Sequence, residues 1–468
     1  AATRVDENGL VNYAEIIGDE LVADGSFPTG TSEWGTGTGV TVGSGVATFT
    51  STPSGQSVQQ NAVATALPNG SLAKVSFEVL SRTEGSFGLY FSGTLVGSRS
   101  SVGVFTAYFT KGTQTSFYIR ALGTTSGTIS NVSVIEEVRN NVPRIDYTGG
   151  GCPHILAEPQ RTNLIPYSED FGQTSWQKQT GIVPTYNTTE TLSPDGTYNA
   201  TKFIGTGSTG VFKSSVIVSG NITRSVYLKS VSGTTTAVFK DPNATGGATP
   251  VSLTITNDWQ RFELTGDNGT GFQGLWIDDI TSDGLYMWGA QLEQGSYATS
   301  YIPNFGTVAG VTRVQDIFTR DGIGSLINST EGVLFVEMAA LSDDETNREI
   351  TLSDGTGSNY VLIRFNSGGS NRIYTRVDVG GALEYYDLNT SHTITNNNKI
   401  AIRWGASNFA TFINGVEAGS QLSGSSFSAD TLNKLNFDNG AGGGNFYGKV
   451  KQIQVYKTAD IDLAALTS

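Results

Sequence analysis

The sequence predicts an all-β chain folded as three sandwiches, and three observations carry that reading. First, the 468 residues hold Gly 59 against Pro 12, with only 15% charged residues and no long helix-forming runs. That composition favours many short strands joined by turns. Second, short stretches alternate apolar and polar residues with period two, the pattern of half-buried strands. Third, one opening is spelled twice. "DELVADGSFPTGTSEW" (19 to 34) and "RTNLIPYSEDFGQTSW" (161 to 176) share an apolar pair, a turn, Phe, a polar spacer and Trp.

The echo continues along the chain. "KVSFEVLSR" places Val75, Phe77 and Val79 on one strand face, and "RSVYLKS" sets Val226 and Leu228 against Tyr227 and Lys229. "FTAYFTKGTQTSFYIRA" (105 to 121) parallels "WQRFELTGDNGTGFQGLWIDD" (259 to 279). "GTISNVSVIEE" and "GLYMWGAQLEQG" close the two copies. The boundaries follow as 18–137 for the first sandwich and 161–305 for the second. Trp34 and Trp176 recur at one place and read as core lids, as does Trp259, which leads into another alternating strand. Residues 1–17 are expected to form a clasp strand pairing with 138–160, so that the first sandwich is an insertion at an exposed turn.

A linker, 306–330, leads to a third sandwich over 331–468. "EGVLFVEMAAL", "NYVLIRFN", "RIYTRVDV", "LEYYDL", "KIAIRWG", "FATFINGVE" and "GKVKQIQVYK" are its strand candidates. Asn414-Gly415 between two strand arms predicts a type I′ hairpin. "DIDLAALTS" reads as a short helical turn.

Net charge is -14 with 28 Lys plus Arg. No basic cluster exists to displace counterions from phosphates, which argues against nucleic acid. No apolar run approaches the roughly 20 residues of a membrane span, so no membrane insertion is expected. Cys152 is the sole cysteine, so no intrachain disulfide forms. Asn-x-Ser/Thr sites such as Asn187 and Asn243 are expected by chance in so Asn-, Ser- and Thr-rich a chain. No signal peptide is visible, and an opening at Ala1 reads as a fragment or processed product.

Catalytic inventory is thin. His154 and His392 are the two histidines, too few for a His-based metal cluster or a Ser-His-Asp relay. Glu384 and Asp387 in "ALEYYDL" are spaced for opposite sheet faces, not for a glycosidase pair. Tyr374 and Arg376 in "RIYTRVDV" form the best lyase fragment. "LSDDETNRE" is a solvated turn or a calcium loop using Asp343 and Asp344, because hard cations want clustered oxygens. "GTGTGVTVGSG" is followed by no helix and is not a phosphate cradle.

Six tryptophans and 18 tyrosines in a chain of few charges suit sugar binding, where rings stack on C–H faces and polar groups hold hydroxyls. The candidate ring platforms are Trp276 and Trp288 in the second sandwich, opposite the Leu275/Ile277 and Leu285/Met287 faces. In the third they are Tyr385 and Tyr386, of which one must face outward, with Tyr374 and Arg376.

Two kinds of resemblance add to this reading. "FATFINGVEAGS" and "NFYGKVKQIQVYKTAD" resemble the hairpin and closing strand of laminin-G-like or concanavalin-like sandwiches. The first two units resemble jelly-roll carbohydrate-binding modules in their opening and their closing "NVSVIEE". Where such modules place a calcium-holding Asp in the last strand, Asn131 and Trp288 stand here. "ATRVDENGLVNYAE", "VPRIDYTGGGCPHILAEPQRTNLIPYSEDF", "YMWGAQLEQGSYATSYIP" and "SLINSTEGVLFVEMAAL" are similar to segments of tailed-phage structural proteins. The resemblance implies a bacteriophage tail fibre or other virion-surface protein, made in the bacterial cytoplasm, that serves host recognition. It implies lectin-like, carbohydrate-binding contact with host-surface polysaccharide, contact with other virion proteins, and a homo-oligomer, for which a trimer is the guess. No cofactor is required, with structural Ca2+ as the optional one. The expected function is therefore non-enzymatic glycan binding. A concanavalin-like lyase or hydrolase and a purely structural decoration protein are the alternatives.

Overall fold

The computed structural model describes residues 2–139, 142–242, 248–366 and 368–468, with side chains described outside 214–219 and 267–272. The Asn243 site lies outside the described residues. The chain is all-β, in three sandwiches, and divides into two compact units. One comprises 15–142; the other comprises 1–14 and 143–468.

In the unit 15–142, two long strands, Leu72–Phe91 and Phe117–Val138, run through both layers of the sandwich. The first half of Leu72–Phe91 lies between Gly103–Thr110 and the closing half of Phe117–Val138. Its second half pairs with Thr94–Arg99 and the opening half of the same partner. Register shifts between Leu122 and Gly127 bend the pair from one layer to the other. Gly85 takes φ +68 at that bend, and a Cβ there would strike Thr124 and Thr125. Val75, Phe77, Val79, Phe87 and Leu89 alternate into the core, which Trp34 closes.

The second sandwich repeats the scheme with Val211–Ser230 and Gln260–Asp278 as its long strands. Gln260–Thr265 and Leu285–Gln294 flank Ile222–Ser230 on either side, as Gly103–Thr110 and Ile129–Glu137 flank Leu72–Val79. The twice-spelled opening now has a physical cause. Trp34 Nε1 donates to the Asp24 carbonyl and Trp176 Nε1 to the Tyr167 carbonyl, both at 3.0 Å. Phe27 and Phe171 pack 4.9 and 4.8 Å from the indoles. Asp24, Phe27 and Tyr167 hold positive φ, which turns the chain back over each core. Both tryptophans are buried lids.

The third sandwich faces a six-stranded sheet, containing Arg348–Ser353, Tyr360–Phe365, Ile373–Val379 and Ala382–Asn389, against a seven-stranded one. Glu331–Ala340, Asn398–Gly405 and Gly448–Tyr456 form the centre of the latter. Ile350, Leu352, Val361, Ile363, Ile373 and Val377 point into the space between the sheets and meet Trp404 and Phe409. Asn414 (φ 50) and Gly415 (φ 83) make the predicted tight hairpin. Asp462 caps a final helical turn, Leu463–Thr467.

The clasp differs from the expectation. Thr3–Val5 pairs with Val11–Tyr13, and Ile145–Asp146 pairs with His154–Ala157. Instead of one ladder between them, each segment closes its own hairpin, because a short local loop costs less entropy than a distant pairing. Asp6 Oδ1 stitches the first loop by accepting from Asn8 and Leu10 amides. The hairpins are then joined by scattered hydrogen bonds, among them Val5 N to Asp146 Oδ2 at 2.9 Å, Tyr147 N to Val5 O at 3.0 Å and Arg4 Nη1 to the Ile145 carbonyl at 3.1 Å. Ile16–Glu20 belongs instead to the first sandwich, pairing with its last strand.

The stretch 306–330 is tied down as well. Val311–Arg313 pairs with Arg161–Asn163, and Thr319–Arg320 with Lys434–Asn436. Arg313 and Arg144, both buried, converge on Glu158, and Arg144 also pairs with Asp316. Burial pushes the Glu158 carboxyl up, but Arg313, Arg144 and the Ser300 hydroxyl outweigh it and hold the group down to about 2.

Candidate functional site

The outer face of the six-stranded sheet carries a cluster of rings with exposed edges. Side chains alternate along each strand, so Tyr360, Leu362 and Arg364 point away from the core on one strand. Tyr374, Arg376 and Asp378 do so on the next. Register sets Tyr374 opposite Arg364, and Arg376 between Leu362 and Tyr386. Cross-strand neighbours on one face stand about 4.5–5.5 Å apart, so these groups form one surface.

The Tyr374 and Tyr386 rings lie 6.2 Å apart at an interplanar angle of 39°. Tyr386 is 58% exposed and Tyr374 is half-buried. Arg364 sits 5.4 Å from the Tyr374 ring centre, and Arg376 5.9 Å from that of Tyr360. The cations are occupied. Arg376 makes a bidentate pair with Asp378 at 2.6 and 2.7 Å, and Arg364 Nε meets Glu349 Oε1 at 2.8 Å. Tyr360 donates its hydroxyl to Asp378 at 3.0 Å. Burial, with that hydrogen bond, pushes the Tyr360 phenol up to about 12. The surface is thus flat, aromatic and charge-compensated. It can stack a sugar ring and donate hydrogen bonds through guanidinium edges, with no free ionic charge of either sign at its centre.

Of the residues expected here, the structure brings together Tyr374, Arg376 and Tyr386. Tyr385 is a correction. It is 3% exposed and stacks on Phe409 at 5.7 Å. Its hydroxyl donates to the Gly419 carbonyl and is hydrogen-bonded to the Thr411 hydroxyl, each at 3.0 Å. Two adjacent residues on one strand cannot share a face, and the core took the first.

Trp288 is a second correction. It does oppose the Leu285/Met287 core face, but it is 1% exposed. Val11, Tyr227 and Tyr301 cover it, with the Tyr301 ring 4.7 Å away. A strand face turned from the core is not a solvent face when another segment lies over it. Trp276 remains half-exposed, 5.0 Å from Phe212, with Lys240 Nζ 3.9 Å from its ring centre and paired to Asp278. The two tryptophans form no joint platform. Trp276 stands opposite Phe212 and Trp288 opposite Tyr227, fifteen positions apart on the same long strand.

The calcium expectation at Asp343 and Asp344 is likewise corrected. Asp344 pairs with Arg348 at 2.7 Å and accepts from the Thr346 amide, while Asp343 accepts from the Asn371 amide. Burial raises the Asp344 carboxyl, and Arg348 more than offsets it, leaving the group below its ordinary range. Both carboxylates brace a turn, and among the described residues no group of three or more His, Cys, Asp or Glu is placed to hold a metal ion. Tyr360 and Arg364 were missed in the sequence, although the alternation in "NYVLIRF" sets both on the face opposite Val361 and Ile363.

No family model matches the chain, and no curated protein matches it. Among solved structures, the N-terminal CBM22-1–CBM22-2 tandem domain of Paenibacillus barcinonensis Xyn10C is similar at 10% identity with a TM-score of 0.24. The match covers 60% of this chain and 99% of that one. Domains LG4-5 of the mouse laminin alpha1 chain are similar at 8% identity with a TM-score of 0.23, covering 62% of this chain and 94% of theirs. Similarity at this level carries no argument about what the present chain binds.

Proposed function

We propose that this chain is a non-enzymatic glycan-binding protein whose principal contact surface is the Tyr360–Tyr374–Tyr386 face of the third sandwich. The observation that carries the reading is the pair of neighbouring outward tyrosine rings flanked by Arg364 and Arg376. Tyrosine presents a large, rigid, amphipathic surface at low entropic cost, and guanidinium N–H groups beside it can hold ring hydroxyls. Because the charges there are paired, the preferred ligand is a neutral polysaccharide. The setting is the virion surface of a tailed phage, where repeated copies in an oligomer raise weak single-site binding through avidity.

The lyase reading receives less support. Of its two residues, Tyr374 and Arg376, the guanidinium is already held by Asp378 in a bidentate pair. The deciding experiment is a neutral and acidic glycan array on the full chain, repeated with Tyr374→Ala/Tyr386→Ala. Signal on neutral polymers that disappears in the double variant supports the reading. An unchanged pattern, or release of unsaturated uronate from any polymer, overturns it.

A further inference from the structure

A cavity of about 300 Å³ opens where the N-terminal hairpin, the segment 143–160, the second sandwich and the closing strand of the third converge. It is at the small end of ligand-site volumes, enough for one pyranose-sized ring. Its apolar wall is made by Tyr227, Leu156 and Val11. Tyr227 is supported from behind by Trp288 and Tyr301, so the corrected tryptophan acts as the foundation of this wall.

The polar groups on the wall are unevenly satisfied. Glu158 is consumed by Arg144, Arg313 and Ser300. Asp146 accepts from the Val5 and Thr148 amides and lies 3.3 Å from His154, which leaves room for one more donor on a carboxylate. Arg261 donates from Nη2 to Ser225 Oγ at 2.8 Å, while its buried Nε–H has no acceptor. Lys449, opposite Leu156 across the strand pair, has no ion-pair partner among the described residues. Glu263 completes the wall.

We propose that this cavity binds one carboxylated pyranose unit, a hexuronate-type sugar. Its carboxylate meets Lys449 and Arg261, its hydroxyls donate to Asp146 and Glu263, and its apolar face lies on the Tyr227 side. Two wall cations without an ion pair among the described residues call for an anion. The neighbouring Asp146 and Glu263 carboxylates disfavour a dianion such as phosphate but accept the hydroxyls of a sugar that carries a single charge. This site differs in charge state from the tyrosine face and stands independently of it.

The test is calorimetric titration of the full chain with glucuronate and galacturonate against glucose and galactose. The uronates are expected to bind at least about tenfold more tightly than the matched neutral sugars. That advantage should shrink with added salt and vanish in Lys449→Gln, a half-exposed position whose change leaves the fold intact. Arg261→Gln should reduce it in the same direction. Equal affinity for charged and neutral sugars, no binding of either, or an advantage that survives in Lys449→Gln overturns the proposal. Tyr374→Ala/Tyr386→Ala should leave uronate binding unchanged, so failure of the tyrosine face and failure of the cavity read out separately.

Discussion

The tyrosine face of the third sandwich and the cavity beside the second are built from the same parts, phenol rings next to guanidinium groups. They differ in what the cations already do. On the face, Arg364 and Arg376 are each closed by a carboxylate one strand away or two residues along. In the cavity, neither Lys449 nor Arg261 has a carboxylate paired to it among the described residues. The same residue types therefore prepare two chemistries, and pairing rather than composition decides which.

The comparison breaks hardest at the supports. Trp288→Ala should cost about 3–5 kcal/mol of stability, since it empties a buried site beneath Tyr227. Arg313→Met should cost about as much, roughly 3–5 kcal/mol, because it leaves Glu158 buried with one guanidinium fewer. Denaturant unfolding measures both. By the same assay Arg376→Met should cost less, roughly 1–3 kcal/mol, because the half-exposed guanidinium leaves the buried Asp378 with the Tyr360 hydroxyl. Near-equal losses at Arg313 and Arg376 would erase the distinction between the two regions.

A smaller effect sharpens it on the binding side. Tyr386→Ala should weaken neutral-glycan binding by about 0.5–1.5 kcal/mol, the scale of one ring contact, with stability within about 0.5 kcal/mol of the parent. Binding isotherms and a melting curve on the same sample check this. Loss of stability without loss of binding would make the ring structural.

A pH dependence sharpens it further. Glu169 accepts the Tyr301 hydroxyl at 2.9 Å behind the cavity, and burial pushes its carboxyl up to about 7. A raised carboxyl means that the folded state holds the proton more tightly than the unfolded one. Its contribution therefore favours folding at low pH and is lost as pH rises from about 4.5 toward 7. Glu169→Gln should flatten that slope in melting temperature against pH, and an unaltered slope would assign it elsewhere.

Much of this was legible in the residues. Period-two alternation located the strands, and the paired Phe and Trp of the two openings announced two like sandwiches. The tyrosine face was half-legible: "RIYTRVDV" and "LEYYDL" gave Tyr374, Arg376 and Tyr386. Which of Tyr385 and Tyr386 faced out depended on a register shift between Val377 and Asp378 that no local pattern records. Trp288 shows the limit most clearly. Its own strand says outward, and only the distant Val11 and Tyr301 say covered. The cavity was illegible for the same reason, since its wall draws on segments hundreds of positions apart, and sequence periodicity reports only one neighbour's worth of geometry.

The unit 15–142 begins and ends in one ladder, with Ile16 directly opposite Val138. Entry and exit therefore stand about 5 Å apart, the spacing of adjacent strands. Such a unit can be cut out and the gap rejoined with a short turn, or exchanged for another fold of like ends, without stretching the chain that receives it. The architecture is open to cassette replacement: one lineage could trade this sandwich for a different recognition element while the clasp, the second and the third stay as they are.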